Sequence, residues 1–136
     1  WLLIQTGKHA AFDGEHLTFV DTPTSVAFAD RPRRLVADIP LEDFVEVVWN
    51  AGGPESLAAV PPNAALTFNV VETGHPGIAV VELREPTIVG DRLRYDIEVL
   101  EGELPPELGA ITLVIDGFPL AGAHEVGAMW GQNQQE

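Results

Sequence analysis

The clearest pattern of hydrophobic and polar positions lies in residues 77–102. Apolar and charged side chains alternate along its second half, with Leu93, Tyr95, Ile97 and Val99 on one face and Arg92, Arg94, Asp96 and Glu98 on the other. Because successive side chains of a strand point to opposite faces, this period of two predicts a half-buried strand. The first half, residues 78–83, is mostly apolar on both faces. Gly90-Asp91 between the halves suits a tight hairpin turn, and Pro86, which cannot donate a hydrogen bond, predicts a bulge or an edge.

Similar short apolar segments, separated by Gly and Pro, predict further strands at residues 1–6, 17–20, 25–30, 65–72 and 111–116. The strand at 65–72 directly precedes the hairpin, so the three together predict an antiparallel meander. We expect Leu66, Phe68 and Val70 to point inward, and likewise Ile111, Leu113 and Ile115. Residues 7–15 and 103–109 are rich in Gly, Pro and charge, which predicts loops.

Residues 41–50 follow a different period. Leu41, Phe44, Val45 and Val48 fall on one side at helical spacing, and Glu42 and Asp43 would stand in the first turn, where the helix dipole favours acids. The alternative is a strand, because residues 44–49 are rich in β-branched side chains. The Gly52-Gly53-Pro54 sequence ends either element.

A hairpin with one apolar face must bury that face against a second layer. We therefore predict an all-β fold, a single antiparallel β-sandwich of about seven strands with one short helix, over residues 1–117. Residues 118–136 form a C-terminal extension that we expect to dock on its own or a neighbouring chain. The candidate anchors and interface residues are Trp1, Phe118, Leu120, Met129 and Trp130, because large apolar side chains supply most of the contact area at interfaces.

Charge narrows the possible partners. The chain has 21 Asp and Glu against 7 Lys and Arg, a formal net charge of -14. Such a surface repels nucleic acid and anionic lipid and attracts cations and basic partners. No apolar run approaches the length of a membrane span, so we expect no membrane insertion. The absence of cysteine excludes disulfides and thiolate chemistry.

One loop carries candidate metal ligands. His9, Asp13, Glu15 and His16 lie within eight residues, and imidazole with carboxylate suits zinc, copper or nickel. A divalent cation is therefore the one cofactor that the sequence suggests. The alternative is that these are ordinary surface residues, because sequence proximity does not make ligands converge.

Three weaker possibilities stay open. Carboxylates next to turn glycines at Asp13-Gly14-Glu15, Gly90-Asp91 and Asp116-Gly117 resemble calcium ligands, and the arginines of residues 30–34 could clamp an anion or pair with the chain's own acids. Aromatic residues could form a sugar-stacking platform; the candidates are Trp1, Trp49, Tyr95 and Trp130. There is no nucleophile elbow, phosphate loop or zinc-protease motif, so no residue is assigned to catalysis.

Several short segments together resemble a group of small, exported, uncharacterised bacterial β-sandwich proteins. They are Asp30-Arg31-Pro32, Trp49, Pro61-Pro62-Asn63-Ala64, Gly90-Asp91 with Leu93 and Tyr95, Leu100 with Gly102 and Leu104-Pro105, and Ile115-Asp116. The resemblance covers most of residues 1–117. It implies an extracellular or periplasmic location, but no activity and no functional residue. A processed mature N-terminus would explain the start at Trp1 in place of Met, and so would a shortened chain.

Two function hypotheses follow. The first is a non-catalytic structural or interaction domain, a subunit of a homo-oligomeric or larger extracytoplasmic assembly whose partner is protein. The second is a metal- or small-ligand-binding protein, either an enzyme or a binding protein without catalysis, that uses the loop from His9 to His16.

Overall fold

In a computed structural model, residues 2–21, 23–29, 34–116 and 134–135 are described, and they form nine strands and a short helical segment. The strands are β1 (Leu2–Phe12), β2 (His16–Phe19), β3 (Thr24–Ala29), β4 (Arg34–Asp38), β5 (Asn63–Val70), β6 (Pro76–Val89), β7 (Arg92–Gly102), β8 (Glu107–Asp116) and β9 (Gln134–Gln135). All their pairings are antiparallel. The all-β prediction is therefore confirmed.

Six strands close into a barrel in the order β1-β2-β7-β6-β5-β8, with β8 returning to β1. The pairing of β2 with both β1 and β7 completes the ring. Strands β3, β4 and β9 continue the sheet outward from β1. The predicted β-sandwich is thus wrong, because one sheet curls round to enclose the core.

The physical reason lies in the length of β1. One edge of this strand pairs with β8 nearly throughout, while its other edge pairs first with β3, through residues 2–6, and then with β2, through residues 10–12. A sandwich would need two separate sheets, but a strand that serves two neighbours on one edge joins them. The strand predicted at residues 1–6 thus continues to Phe12, and the loop predicted at residues 7–15 is wrong over residues 7–12.

Gly7 marks the point where β1 exchanges one neighbour for the other. A Cβ atom at this position would lie 2.8 Å from Cδ2 of Phe19 and 3.6 Å from Cγ2 of Ile111. Phe19 is completely buried, so its ring has no room to move away. The strand can pass over the ring of Phe19 only because residue 7 has no side chain.

The barrel interior is filled by alternate residues of its six strands. The completely buried side chains include Leu3, Leu17, Phe19, Leu66, Leu83, Leu93, Tyr95, Leu108 and Leu113. The inward direction predicted for Leu93, Tyr95 and Ile97, for Leu66 and Phe68, and for the three residues of β8 is confirmed. Val70 is half-buried. A barrel of this size is packed with side chains.

The segment between β4 and β5 is helical, as the spacing of its apolar residues indicated. A single α turn, α1 (Leu41–Asp43), continues as a π-helical turn (Phe44–Val48), and a 3-10 turn follows (Gly53–Glu55). The wider π turn is closed by a 2.9 Å hydrogen bond from the N–H of Trp49 to the carbonyl of Phe44. These two rings and that of Tyr95 form a cluster with centroids 6.0–6.3 Å apart, which fastens the segment to the barrel.

The predicted meander is confirmed as β5, β6 and β7, with Gly90 at a φ of 68° in the hairpin turn. The predicted bulge is also present: the register between β6 and β7 shifts between Arg84 and Thr87, around Pro86. The backbone of Glu85 has a φ of 45° there. The predicted loop at residues 103–109 is shorter, because β8 begins at Glu107.

At the far end of the sheet, Gln134–Gln135 pairs with β4 in antiparallel register, Arg34 opposite Gln135 and Leu35 opposite Gln134. This places the last described residues of the chain at an edge of its own sheet. The division into residues 1–117 and 118–136 stays a prediction, since residues 117–133 and 136 lie outside the described part.

We expect Gly7→Ala to lower the free energy of unfolding by about 1–3 kcal/mol, because the added methyl group overpacks the site against the buried Phe19 ring. Gly109→Ala is the matched control, since the nearest atom to its added Cβ would be 3.8 Å away. Urea unfolding of both variants measures the difference. Equal stability of the two would show that the chain passes Phe19 without needing glycine.

Candidate functional site

Of the four predicted metal ligands, the structure brings Asp13 and His16 together. The hairpin between β1 and β2 places Nδ1 of His16 3.0 Å from Oδ2 of Asp13. The other ring nitrogen, Nε2, lies 3.3 Å from Oδ1 of Asp96 on β7. The imidazole therefore bridges two carboxylates across the seam where β2 completes the barrel. Its two nitrogens point in opposite directions, so the three side chains do not face one point.

Asp13 also caps the hairpin turn. Its Oδ1 accepts hydrogen bonds from the backbone N–H groups of His16, at 2.7 Å, and of Glu15, at 2.8 Å. These two bonds, that of His16 first, hold the pKa of the Asp13 carboxyl well below its usual range, and the side chain of His16 lowers it further. Oδ1 of Asp13 is thus occupied by hydrogen bonds within the turn.

His9 stands apart from this group. It lies on β1 opposite Gly109, and its carbonyl accepts a 3.0 Å hydrogen bond from the N–H of Val20, at the other end of the β1–β2 hairpin. Asp13 is four positions further along the extended chain, about 13 Å away. Across the described part of the chain, no group of three or more His, Asp or Glu side chains is placed to hold a metal ion. The four predicted ligands are close in sequence, but the extended hairpin spreads them.

A chain of buried polar side chains runs through the interior and has no counterpart in the sequence analysis. The hydroxyl of Tyr95 donates to Oε1 of Gln5 at 2.5 Å, and Nε2 of Gln5 donates to the hydroxyl oxygen of Ser25 at 3.1 Å. The three residues are at most 3% exposed. They link β7, β1 and β3, so this is a structural tie between strands.

Burial governs the acid–base behaviour of Tyr95. Removal from water raises the pKa of its phenol well above the usual range, and the hydrogen bond to Gln5 opposes this in part. The neutral phenol is therefore the form that the folded barrel accommodates.

Outside the barrel, the strand registers create two straight rows of uncharged residues across β3, β1, β8, β5 and β6. One row is Thr24, Thr6, Thr112, Thr67 and Ile78, and the next is Val26, Ile4, Val114, Ala65 and Val80. We call these ten residues the neutral face. Each is exposed or half-buried, and Ile78 is 66% exposed. They cover four of the six barrel strands and the adjoining β3 without a single charge.

The other half of the barrel surface is charged. Its outward residues on β6, β7 and β2 are Glu82, Arg84, Arg94, Asp96, Glu98 and His16. Glu82 and Glu98 face each other across β6 and β7, a repulsive pairing that Arg84 relieves by contacting both, with 2.9 Å from its Nη2 to Oε1 of Glu98. Glu82 and Arg84 follow Val80 on β6, and Glu101 and Asp38 pair with Val80 and Val26. The charges thus border the neutral face and continue across β7 and β2.

Two surface depressions lie elsewhere. One of about 470 Å³ is lined by residues 40–43 with Ile88, Gly90 and Asp91, and one of about 390 Å³ by residues 70–72 and 105–107. The first includes the Gly90-Asp91 turn that the sequence suggested for calcium. Neither Asp43 nor Asp91 is without a partner, so these carboxylates are not an open set of ligands.

The remaining candidates divide by position. Two of the four aromatic residues proposed for a sugar-stacking platform are not accessible to a sugar, because Trp49 is 6% exposed and Tyr95 is completely buried. Of the arginine cluster, Arg34 lies on β4. The other candidates lie outside the described residues: Trp1, residues 30–33, Gly117, Phe118, Leu120, Met129 and Trp130.

Within the described residues, no helix is long and apolar enough to cross a membrane. Comparisons of the chain with protein-family models, with curated proteins and with solved structures found no match. The resemblance to exported bacterial proteins, and the location that it implies, therefore stay predictions.

We expect Tyr95→Phe to lower the free energy of unfolding at neutral pH by about 1–3 kcal/mol, because it leaves Oε1 of Gln5 buried without its donor. A raised pKa means that the neutral phenol stabilises the fold below the unfolded-state value of about 10, and that this contribution is lost as the pH rises above it. The difference between wild type and Tyr95→Phe should therefore narrow above about pH 10. Urea unfolding across this pH range measures it.

The chain has one tyrosine, so its tyrosinate absorbance reports on Tyr95 alone. We expect that absorbance to appear together with the loss of folded circular dichroism. Ionisation near pH 10 in a protein that is still folded would contradict the burial of the phenol.

Proposed function

We propose that this protein is a non-catalytic interaction domain that associates with a second copy of itself through the neutral face. The observation that supports the proposal is the ten-residue array without charge on a chain whose net charge is -14. On a surface that must stay soluble, an array of Thr, Val and Ile across five neighbouring strands marks a contact area.

Charge indicates which partner would cover the neutral face. Two copies of a strongly acidic chain repel each other in most orientations, because carboxylates meet carboxylates. When the neutral faces meet, the ten residues in contact carry no charge. Asp96 and Glu98 lie on β7, outside the face, and Glu82 lies at its border, two residues along β6 from Val80. A basic partner would find no charge to pair with at Thr67 or Ile78.

Size sets the expected strength. At about 4.8 Å between strands and about 6.8 Å between rows, ten residues cover roughly 330 Å² of sheet. A standard stable interface buries about 800 Å² on each partner. We therefore expect a weak association that depends on protein concentration. The larger extracytoplasmic assembly suggested by the sequence would need further contacts.

The test places a charge in the middle of the neutral face. Thr67→Glu adds a carboxylate at an exposed position of β5, where in a face-to-face pair it would meet an apolar partner surface or its own symmetry mate. We expect wild type to shift from 14.7 kDa toward twice that mass as its concentration rises, in sedimentation equilibrium. The variant should stay at the monomer mass over the same range.

Thr87→Glu is the matched control: it makes the same change at an exposed strand position on the charged half. This control should associate like wild type.

Salt of about 1 M, which screens charges beyond about 3 Å, should strengthen the wild-type association by reducing repulsion between copies. A wild-type monomer at every concentration and at high salt would overturn the proposal, as would equal effects of the two variants.

A further inference from the structure

The C-terminal strand β9 occupies an edge of the sheet. It pairs with two of the five residues of β4, Arg34 and Leu35, and so extends the sheet by one short strand. Strand addition of this kind uses backbone hydrogen bonds, and any chain with the same backbone can make them. The edge of β4 is thus a receptor for an extended segment, and the segment seated there is the end of the chain itself.

We propose that β4 accepts the C-terminal strand of a second copy, so that two chains exchange β9 when they associate. This inference rests on the proposed function, which brings the second copy close. In the exchanged pair, Gln134 and Gln135 of each chain lie opposite Leu35 and Arg34 of the other. The contacts of β4 are the same in both arrangements, and exchange of an identical element is a low-cost route to a dimer.

The length of the chain permits the exchange. Residues 117–133, 17 in number, connect the end of β8 to β9. A chain of that length can span up to about 60 Å when fully extended. In the sheet, β8 and β9 are only four strand spacings apart, about 19 Å. The connection is therefore much longer than its own barrel requires and long enough to reach a neighbouring one.

The position of β4 favours a neighbour that is docked on the neutral face. This face extends to β3, and β4 is the next strand of the same sheet. A second copy held against Val26 and Thr24 thus lies within about 10 Å of the edge that receives β9. Exchange would add intermolecular backbone hydrogen bonds to the contacts of the neutral face.

The absence of native cysteine allows a direct test. Leu35→Cys and Gln134→Cys are made on separate chains, one of which carries a size tag, and the two proteins are mixed at high concentration with a mild oxidant. A disulfide between the two different chains can form in register only if β9 of one copy lies on β4 of the other. We expect a heterodimer on a non-reducing gel.

Arg34→Cys mixed with Gln135→Cys tests the second register pair and covers the case in which Leu35→Cys fails to fold. Thr87→Cys mixed with Gln134→Cys measures random collision, because Thr87 is exposed on the charged half. The register pairs should give about ten times more heterodimer than this control, since exchange holds the thiols at a millimolar effective concentration.

Equal yields in the control, or no heterodimer from either register pair, would overturn the exchange. Sedimentation of the untagged wild type then separates the two ideas. A wild type that still associates, while the thiol pairs do not cross-link, leaves the neutral-face proposal intact and rejects strand exchange. A wild type that stays monomeric rejects both.

Discussion

The double pairing of β2 is the constraint on which the structure depends. This four-residue strand contacts β1 through three residue pairs and β7 through three more, and without it the sheet would stay open. Closure requires β1 to pass over the ring of Phe19, which Gly7 alone allows. It also fixes which residues face inward, because a shift of one residue would turn every side chain of a strand to the opposite face. The packed interior and the pattern on the outer surface therefore have a common origin.

The outer surface shows what this register achieves. Threonines from four strands are aligned because β1 pairs with β3 and β8 at Thr6, and β8 pairs with β5 at Thr112. No local sequence signal marks the row, since its members are scattered from residue 6 to residue 112. The registers on β6 and β7 instead place Glu82, Arg84 and Glu98 together. The strand registers align uncharged residues with one another and charged residues with one another. The outer surface of the barrel therefore has a neutral part and a charged part.

Local features of the fold could be predicted from the sequence, whereas closure could not. The alternation along β7, the Gly90 turn and the bulge at Pro86 depend on neighbouring residues, and each is confirmed. Whether a sheet closes depends on long-range pairing, so a barrel was mistaken for a sandwich. The same limit applies to the candidate site. Proximity in sequence grouped His9 with His16, which an extended hairpin separates, while Tyr95 reaches Gln5 across 90 positions without any motif.

Because side chains fill the interior of the barrel, we look for a binding surface on its outside. Tyr95, Gln5 and Ser25 are the kinds of side chain that bind or activate a substrate, but they are buried and bonded to one another, with no access to water. Phe44 and Trp49 pack on the same tyrosine and hold the helical segment against it. In the described part of the chain, the interior of the barrel is filled by its own side chains. On the outside, the neutral face presents Ile78, the most exposed large apolar side chain of the described residues. Burial of apolar surface is the main favourable term in protein association. Association through that face is therefore the function that we propose.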